Sequence, residues 1–236
     1  MSMAAVVFGL YLFGVANRWP AYAGFAVQCV YLVSRGLTLG RVPLIGVHDT
    51  VSFLAASVMA FGIAVDQAQG RKRGVLNAVS GMAAAFALAA LFQAPYAKEL
   101  PPVLKTYWFE LHVATSFMAY ALFGIAAILG VYFLRTREAE AEQLQYKVIF
   151  TGYALFSLSM IFGGVWAFLA WGTYWLWTPK ELWTSLLWLY YGLYLHLRYI
   201  KWWQGRPAAV LGIIGFGVVM FTYLGVSLLM KSSHSF

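Results

Sequence analysis

The chain has 236 residues, of which 62% are hydrophobic, while 16 Lys/Arg and 8 Asp/Glu are the only formal charges and the mean hydropathy is +0.74. Soluble domains hold roughly 45–50% apolar residues, so a water-soluble globule is excluded. A single cysteine, Cys29, excludes an internal disulfide and any paired-thiol redox or zinc motif, and the net charge of +8 lies in short clusters between apolar stretches, where membrane topology rather than nucleic acid accounts for it.

Uncharged intervals run over 1–17, 19–34, 50–65, 74–97, 111–134, 148–179, 182–197 and 207–230. The four long ones each suffice to cross the ~30 Å hydrocarbon layer as a helix. The four shorter ones are flanked by Arg18, Arg35, Asp66 or Arg198, which can snorkel or anchor at the interface. The expected fold class is an all-α polytopic membrane protein of about eight transmembrane helices, forming a single integral membrane domain over 1–236. The first 20 residues lack a basic start and a small-residue cleavage site, so the first span reads as retained. Counted over alternate loops, one face carries ten Lys/Arg (Arg18, Arg71, Lys72, Arg73, Arg135, Arg137, Lys147, Arg198, Lys201, Arg206) and the other six (Arg35, Arg41, Lys98, Lys105, Lys180, Lys231). By the positive-inside rule the first face is cytoplasmic, with both termini and loops 36–49, 96–110 and 171–181 outside. Lys105–Glu110, after Pro95, Pro101 and Pro102, is expected to lie flat on the outer surface, and Arg135–Lys147 to form a short cytoplasmic helix of mixed charge.

Six of the ten tryptophans fall in 23 residues, Trp166, Trp171, Trp175, Trp177, Trp183 and Trp188, around the outer loop between helices six and seven. An interfacial belt spreads such rings over many helix ends; this concentration instead predicts a flat aromatic platform for a large planar apolar ligand. Thr178-Pro179-Lys180-Glu181 fits a capping box, with Thr178 as N-cap, Pro179 at N1 and Glu181 at N3. Span seven therefore starts at Pro179, and its first N–H groups, with Lys180, are expected to suit a ligand carboxylate. Interfacial solvation is the plainer alternative for Lys180 and Glu181.

Imidazole is the usual axial ligand of haem iron, which makes the four histidines candidates. His112 opens span five on the outer side, with Thr115, Ser116 and Ala119 below it small enough to admit a macrocycle edge. His234 follows span eight on the same side, where a frayed tail residue is the alternative. His196 lies 17 residues beyond Pro179, roughly 25 Å along span seven, with Gly192 one turn back. An intramembrane ionisable group points to function, although His196 also serves as a helix-end anchor beside Tyr194, Arg198 and Tyr199. His48 reads as a polar helix start with Asp49 or Thr50 capping. Two outer histidines beside the platform and one deep histidine suggest two haem positions on opposite sides of the membrane.

Trp171-Gly-Thr-Tyr-Trp-Leu-Trp-Thr-Pro-Lys-Glu-Leu-Trp183, continuing through Trp188-Leu-Tyr-Tyr-Gly-Leu-Tyr-Leu-His196, resembles the tryptophan-rich WWD signature of haem-handling proteins in cytochrome c assembly, the CcsA/ResC branch above all and CcmC/CcmF more remotely. The resemblance extends over about 40–236, with the signature in 166–188. It implies that His112 and His234 ligate haem b held by Trp171, Trp175, Trp177, Trp183 and Lys180. It places His196 at an inner site. It further implies a CcsB/ResB-type membrane partner, an apocytochrome c bearing CxxCH as client, and a place in a cytochrome c haem lyase (system II) complex of the bacterial plasma membrane, with the haem-presenting face periplasmic. Three positions depart from the pattern. The motif's Asp is Thr178, which preserves a cap but not a charge, and a usual polar pair is Phe168-Leu169. A specialised haem-binding paralogue with reduced synthase activity is therefore one alternative. An electron-transferring b-haem subunit, with histidines paired from facing spans, is another.

Overall fold

Inside a bilayer the chain has to satisfy its own N–H and C=O groups, so apolar intervals of this length fold as helices. The computed structural model describes residues 3–70, 73–96 and 99–229, among which there are helices and turns but no strand. The all-α expectation holds. Every apolar interval carries a helix: α1 (Met3–Gly14), α2 (Arg18–Leu39), α3 (Val47–Ala68), α4 (Arg73–Leu91), α5 (Tyr107–Thr136), α6 (Ala139–Trp171), α7 (Pro179–Leu197) and α8 (Arg206–Met220). Five segments are long and apolar enough to cross a membrane: Val47–Ala68, Gly74–Leu91, Tyr107–Thr136, Ala139–Trp171 and Arg206–Gly225. α1 is apolar, but its 12 residues reach only ~18 Å. α2 and α7 have the length, 22 and 19 residues, yet are diluted by side chains such as Gln28 and Arg35, or Tyr190, Tyr191 and Tyr194. Five spans thus meet both criteria where about eight were expected.

The chain divides into two compact units, Met1–Glu99 and Leu100–Phe236. In the first, small residues bring the helices close: a Cβ on Gly24 would meet the Tyr11 ring at 2.8 Å, and one on Gly62 would meet Val79 Cγ1 at 2.2 Å. Polar groups enclosed between these helices pair with one another, as a low-dielectric interior demands. Tyr11 donates to Gln28 Oε1, and Gln28 Nε2 donates to Ser52 O at 2.8 Å. Arg35 holds Asp49 through Nε at 2.5 Å and Nη2 at 2.9 Å, and also donates to Tyr96 O at 2.9 Å. Asp49 therefore pairs with α2 instead of capping α3, whose N-cap is Gly46 with no side-chain bond. Thr50 is not the cap either, since its hydroxyl donates back to Gly46 O and Val47 O at 3.0 and 3.2 Å.

In the second unit α5 and α6, of 30 and 33 residues, form a long antiparallel pair. The mixed-charge stretch 135–147 is not a separate helix. Arg137, in the left-handed region at φ 63°, turns the chain and α6 begins at Ala139. Tyr107–Glu110 likewise is no flat surface segment but the first turn of α5, capped by Thr106, whose hydroxyl accepts from Phe109 N at 3.2 Å. At the α5–α6 turn end, Glu142 accepts from Arg198 at the end of α7 and from Gly205 N, the N-cap of α8, at 2.8 Å. One carboxylate thus joins α6, α7 and α8. α8 passes through a π-helical turn, Phe221–Gly225, into a short last helix, Val226–Leu229.

Removing Asp49 by Asp49→Ala strands the Arg35 guanidinium, and breaking a buried pair this way costs about 3–5 kcal/mol. Thermal unfolding in detergent should show a clear fall in Tm, larger than that of an Arg35→Met/Asp49→Leu double variant, which leaves no lone charge.

Candidate functional site

The start of α5, the end of α6 and the start of α7 meet at one end of the second unit, where His112 comes together with the tryptophans that flank the α6–α7 loop. His112 turns its ring onto α6. Its Nδ1 lies 2.9 Å from the carbonyl oxygen of Ser159, with the Ser159 hydroxyl at 3.2 Å. A carbonyl only accepts, so Nδ1 carries the proton and Nε2 is left with its lone pair; Nε2 bonds to no described residue. The Trp166 ring lies nearly parallel to the imidazole, at 16° and 6.3 Å, and is itself fixed by its Nε1–H donating to Val103 O at 2.8 Å. Ser116 and Ala119 leave no open space for a ligand edge, because both are buried, Ser116 with its Oγ 2.5 Å from Ser159 Oγ on α6.

The loop into α7 is organised by Glu181. The expected capping box is present: Thr178 Oγ1 accepts from Glu181 N at 3.3 Å, and Glu181 Oε2 accepts from Thr178 N at 2.9 Å. The same oxygen also accepts from Leu176 N at 2.9 Å, and Glu181 is buried. Glu181 is thus not the solvated interfacial group of the plainer alternative: its carboxylate takes two amides just before the helix, while Thr178 Oγ1 takes the helix's own Glu181 N–H. Lys180 lies close enough to His112 to act on it electrostatically.

The tryptophans do not form one flat platform. Trp166 is buried and meets Trp171 edge-on, at 65° and 4.9 Å. Trp183 packs on Phe221 of the π-helical turn at 63° and 4.6 Å. Trp188 belongs to the α6–α7 contact, donating to Ser157 Oγ at 2.9 Å and stacking on Tyr153. Trp175 is half-buried, and Trp177 is 71% exposed. Phe168, at the position of a usual polar residue, stacks on Tyr174 at 14° and 4.6 Å, which fastens the loop to the end of α6.

His196 is at the other end of the unit, on the exposed side of α7. It uses the same device as His112: Nδ1 donates to the Gly192 carbonyl at 2.7 Å, which in the neutral ring leaves the lone pair on Nε2. Trp166 and Glu142, which mark the two ends on α6, are separated by 24 residues, about 36 Å of helix. His48 differs in kind. Its Nδ1 donates to Ala90 O at 2.8 Å and its Nε2 accepts from Tyr31 at 2.6 Å, so both nitrogens are used internally. His234 lies outside the described residues. Sequence reasoning missed Ser159 and Gly163, although Ser159-Met-Ile-Phe-Gly163 is the small-xxx-small spacing that brings membrane helices close.

With this geometry in place, the comparisons with known proteins decide the family. Residues 44–234 match the family described as cytochrome C assembly protein. The chain belongs to this family. It is 30% identical to the cytochrome c biogenesis protein CcsA of Synechococcus elongatus, over 91% of this chain and 86% of that relative. It is 29% identical to CcsA of Thermosynechococcus vestitus, over 96% and 92%, and 31% identical to CcsA of Chlamydomonas reinhardtii, over 84% and 61%. Its role is thus in cytochrome c biogenesis, at the membrane. The first alignment runs over 280 positions, more than the 236 residues of this chain, so that relative carries residues within the aligned region that this member lacks.

Glu181→Ala removes the acceptor of two loop amides and half of the capping box, and leaves buried donors unpaired at about 1–3 kcal/mol. Protease cleavage within 172–178 should accelerate and tryptophan emission should shift, whereas Thr178→Asp, which keeps a cap, should leave both near the parent values.

Proposed function

We propose that this family member binds haem b and presents it to apocytochrome c for covalent attachment. One observation carries the reading: His112 and His196 each donate Nδ1–H to a helix carbonyl and keep Nε2 free, the tautomer that ligates a metal, while His48 spends both nitrogens within the protein. The donor set therefore fits haem iron at either end of the second unit. At the tryptophan-rich end, His112 and His234 would hold the iron, with Trp171, Trp175, Trp177 and Trp183 as the aromatic groups and Lys180 as the cationic group offered to the ligand. At the other end His196 faces outward from α7 and awaits a second ligand from a CcsB/ResB-type partner.

When bound, haem supplies the vinyl groups to which the thiols of a CxxCH segment add. The chain's own residues do the rest. His112 would hold the iron, and an imidazole ligand would tune its potential. Trp166, stacked beside the imidazole, keeps that ring from swinging. The exposed loop leaves one edge open for the client. The whole of 1–236 acts as one domain in the bacterial plasma membrane, among its lipids, with the tryptophan loop on the periplasmic face and nucleic acid playing no part.

His112→Ala and His196→Ala should each lower the haem that co-purifies with the full-length chain, and added imidazole should restore the lost coordination. Co-expression with a CcsB/ResB-type protein and a reporter apocytochrome should give covalent haem, detected by its pyridine haemochrome. A colourless chain, or spectra identical to the parent in both variants, would overturn the ligand assignment.

A further inference from the structure

A helix carbonyl in mid-helix already accepts the N–H of the residue four positions on, and that residue's side chain screens it from any outside donor. His112 nevertheless reaches the carbonyl of Ser159 in the middle of α6. The residue four positions on is Gly163. A Cβ there would stand 2.6 Å from His112 Nδ1 and 2.9 Å from Cε1, closer than packed atoms come, and 3.2 Å from Cγ. The clash would be with a ring held on several sides, not with the free end of a flexible side chain. Trp166 lies parallel to the imidazole and is tied to Val103 O. The His112 carbonyl accepts from Ser116 Oγ at 2.8 Å and from Ser159 Oγ at 3.1 Å. These bonds fix the backbone from which the ring projects, so a ring pushed back by a Cβ at 163 lengthens its bond to Ser159 O.

We propose that Gly163, together with the carbonyl and hydroxyl of Ser159, is the positioning element that sets the tautomer and the aim of His112. This rests on His112 being an iron ligand, and Gly163 touches no cofactor itself. The bare helix surface at Gly163 admits the ring edge. The Ser159 carbonyl then fixes the proton on Nδ1, and Nε2 is directed away from α6 as the ligating lone pair. The Ser159 hydroxyl adds to the hold but is not essential to it, because the carbonyl survives any substitution at 159.

The test is a haemin titration of the full-length chain in detergent, followed by the Soret band. Outer partners of ligating histidines typically contribute 10–100-fold to affinity, so Gly163→Ala should weaken binding by about 10-fold or more, with a changed ferrous spectrum; Ser159→Ala should weaken it less. A double-mutant cycle separates aiming from packing. In a His112→Gly background no ring remains for the new Cβ to strike, so Gly163→Ala should add no further loss, while exogenous imidazole should restore the His112→Gly single variant better than the double variant, whose Cβ intrudes on the ring's place. An equal loss from Gly163→Ala with and without the His112 ring, or no loss in either, would overturn the positioning role. Unchanged binding by His112→Gly alone would instead overturn the ligand reading on which it rests. Should Gly163→Ala fail to accumulate, accumulation of the double variant supports the same conclusion, and failure of both overturns it.

Discussion

Close approach of α5 and α6 is the constraint on which the second unit depends. Lipid offers no hydrophobic force between helices, so their contact relies on small side chains and on polar groups that satisfy one another. Gly152 lets the Phe123 ring lie within about van der Waals reach of the α6 backbone, and Ser116 and Ser159 share a hydrogen bond across the seam. The seam also sets where His112 can be, and α6 itself carries Trp166, which is held by Val103 O, alongside that ring. The loop then hangs from Trp166 by Trp171 and from α6 by the Phe168–Tyr174 stack. A site at the end of two helices is therefore as rigid as the helices themselves.

The departure at Thr178 looks different once Glu181 is in view. A carboxylate at the start of α7 would in either case favour the helix dipole. Here the charge that meets the dipole is that of Glu181, buried and bonded to the amides of Leu176 and Thr178. Thr178 keeps the neutral half of the box. Local order of the loop is thus preserved without an aspartate.

What could be read from the sequence was local, and what escaped was tertiary. The capping box spans four residues and follows from their chemistry, and eight apolar intervals became eight helices. Helix ends moved because uncharged residues extend into turns, as at 172–178, and because helices extend past charges, as α6 does from Ala139. The role of His48 depends on Tyr31 and Ala90, 17 and 42 residues away, which no spacing announces. The burial of Glu181 was missed because it was weighed as a surface group, whereas its second amide, that of Leu176, lies in the loop it folds. The edge-on tryptophans were missed because composition records how many rings gather but not their angles.

Trp177 sits in the left-handed region at φ 55°. Glycine takes that backbone freely, whereas a bulky aromatic there costs on the order of 1–3 kcal/mol. Burial does not recover that cost, since the side chain is 71% exposed. The loop thus carries an indole out into its surroundings at the expense of its own backbone.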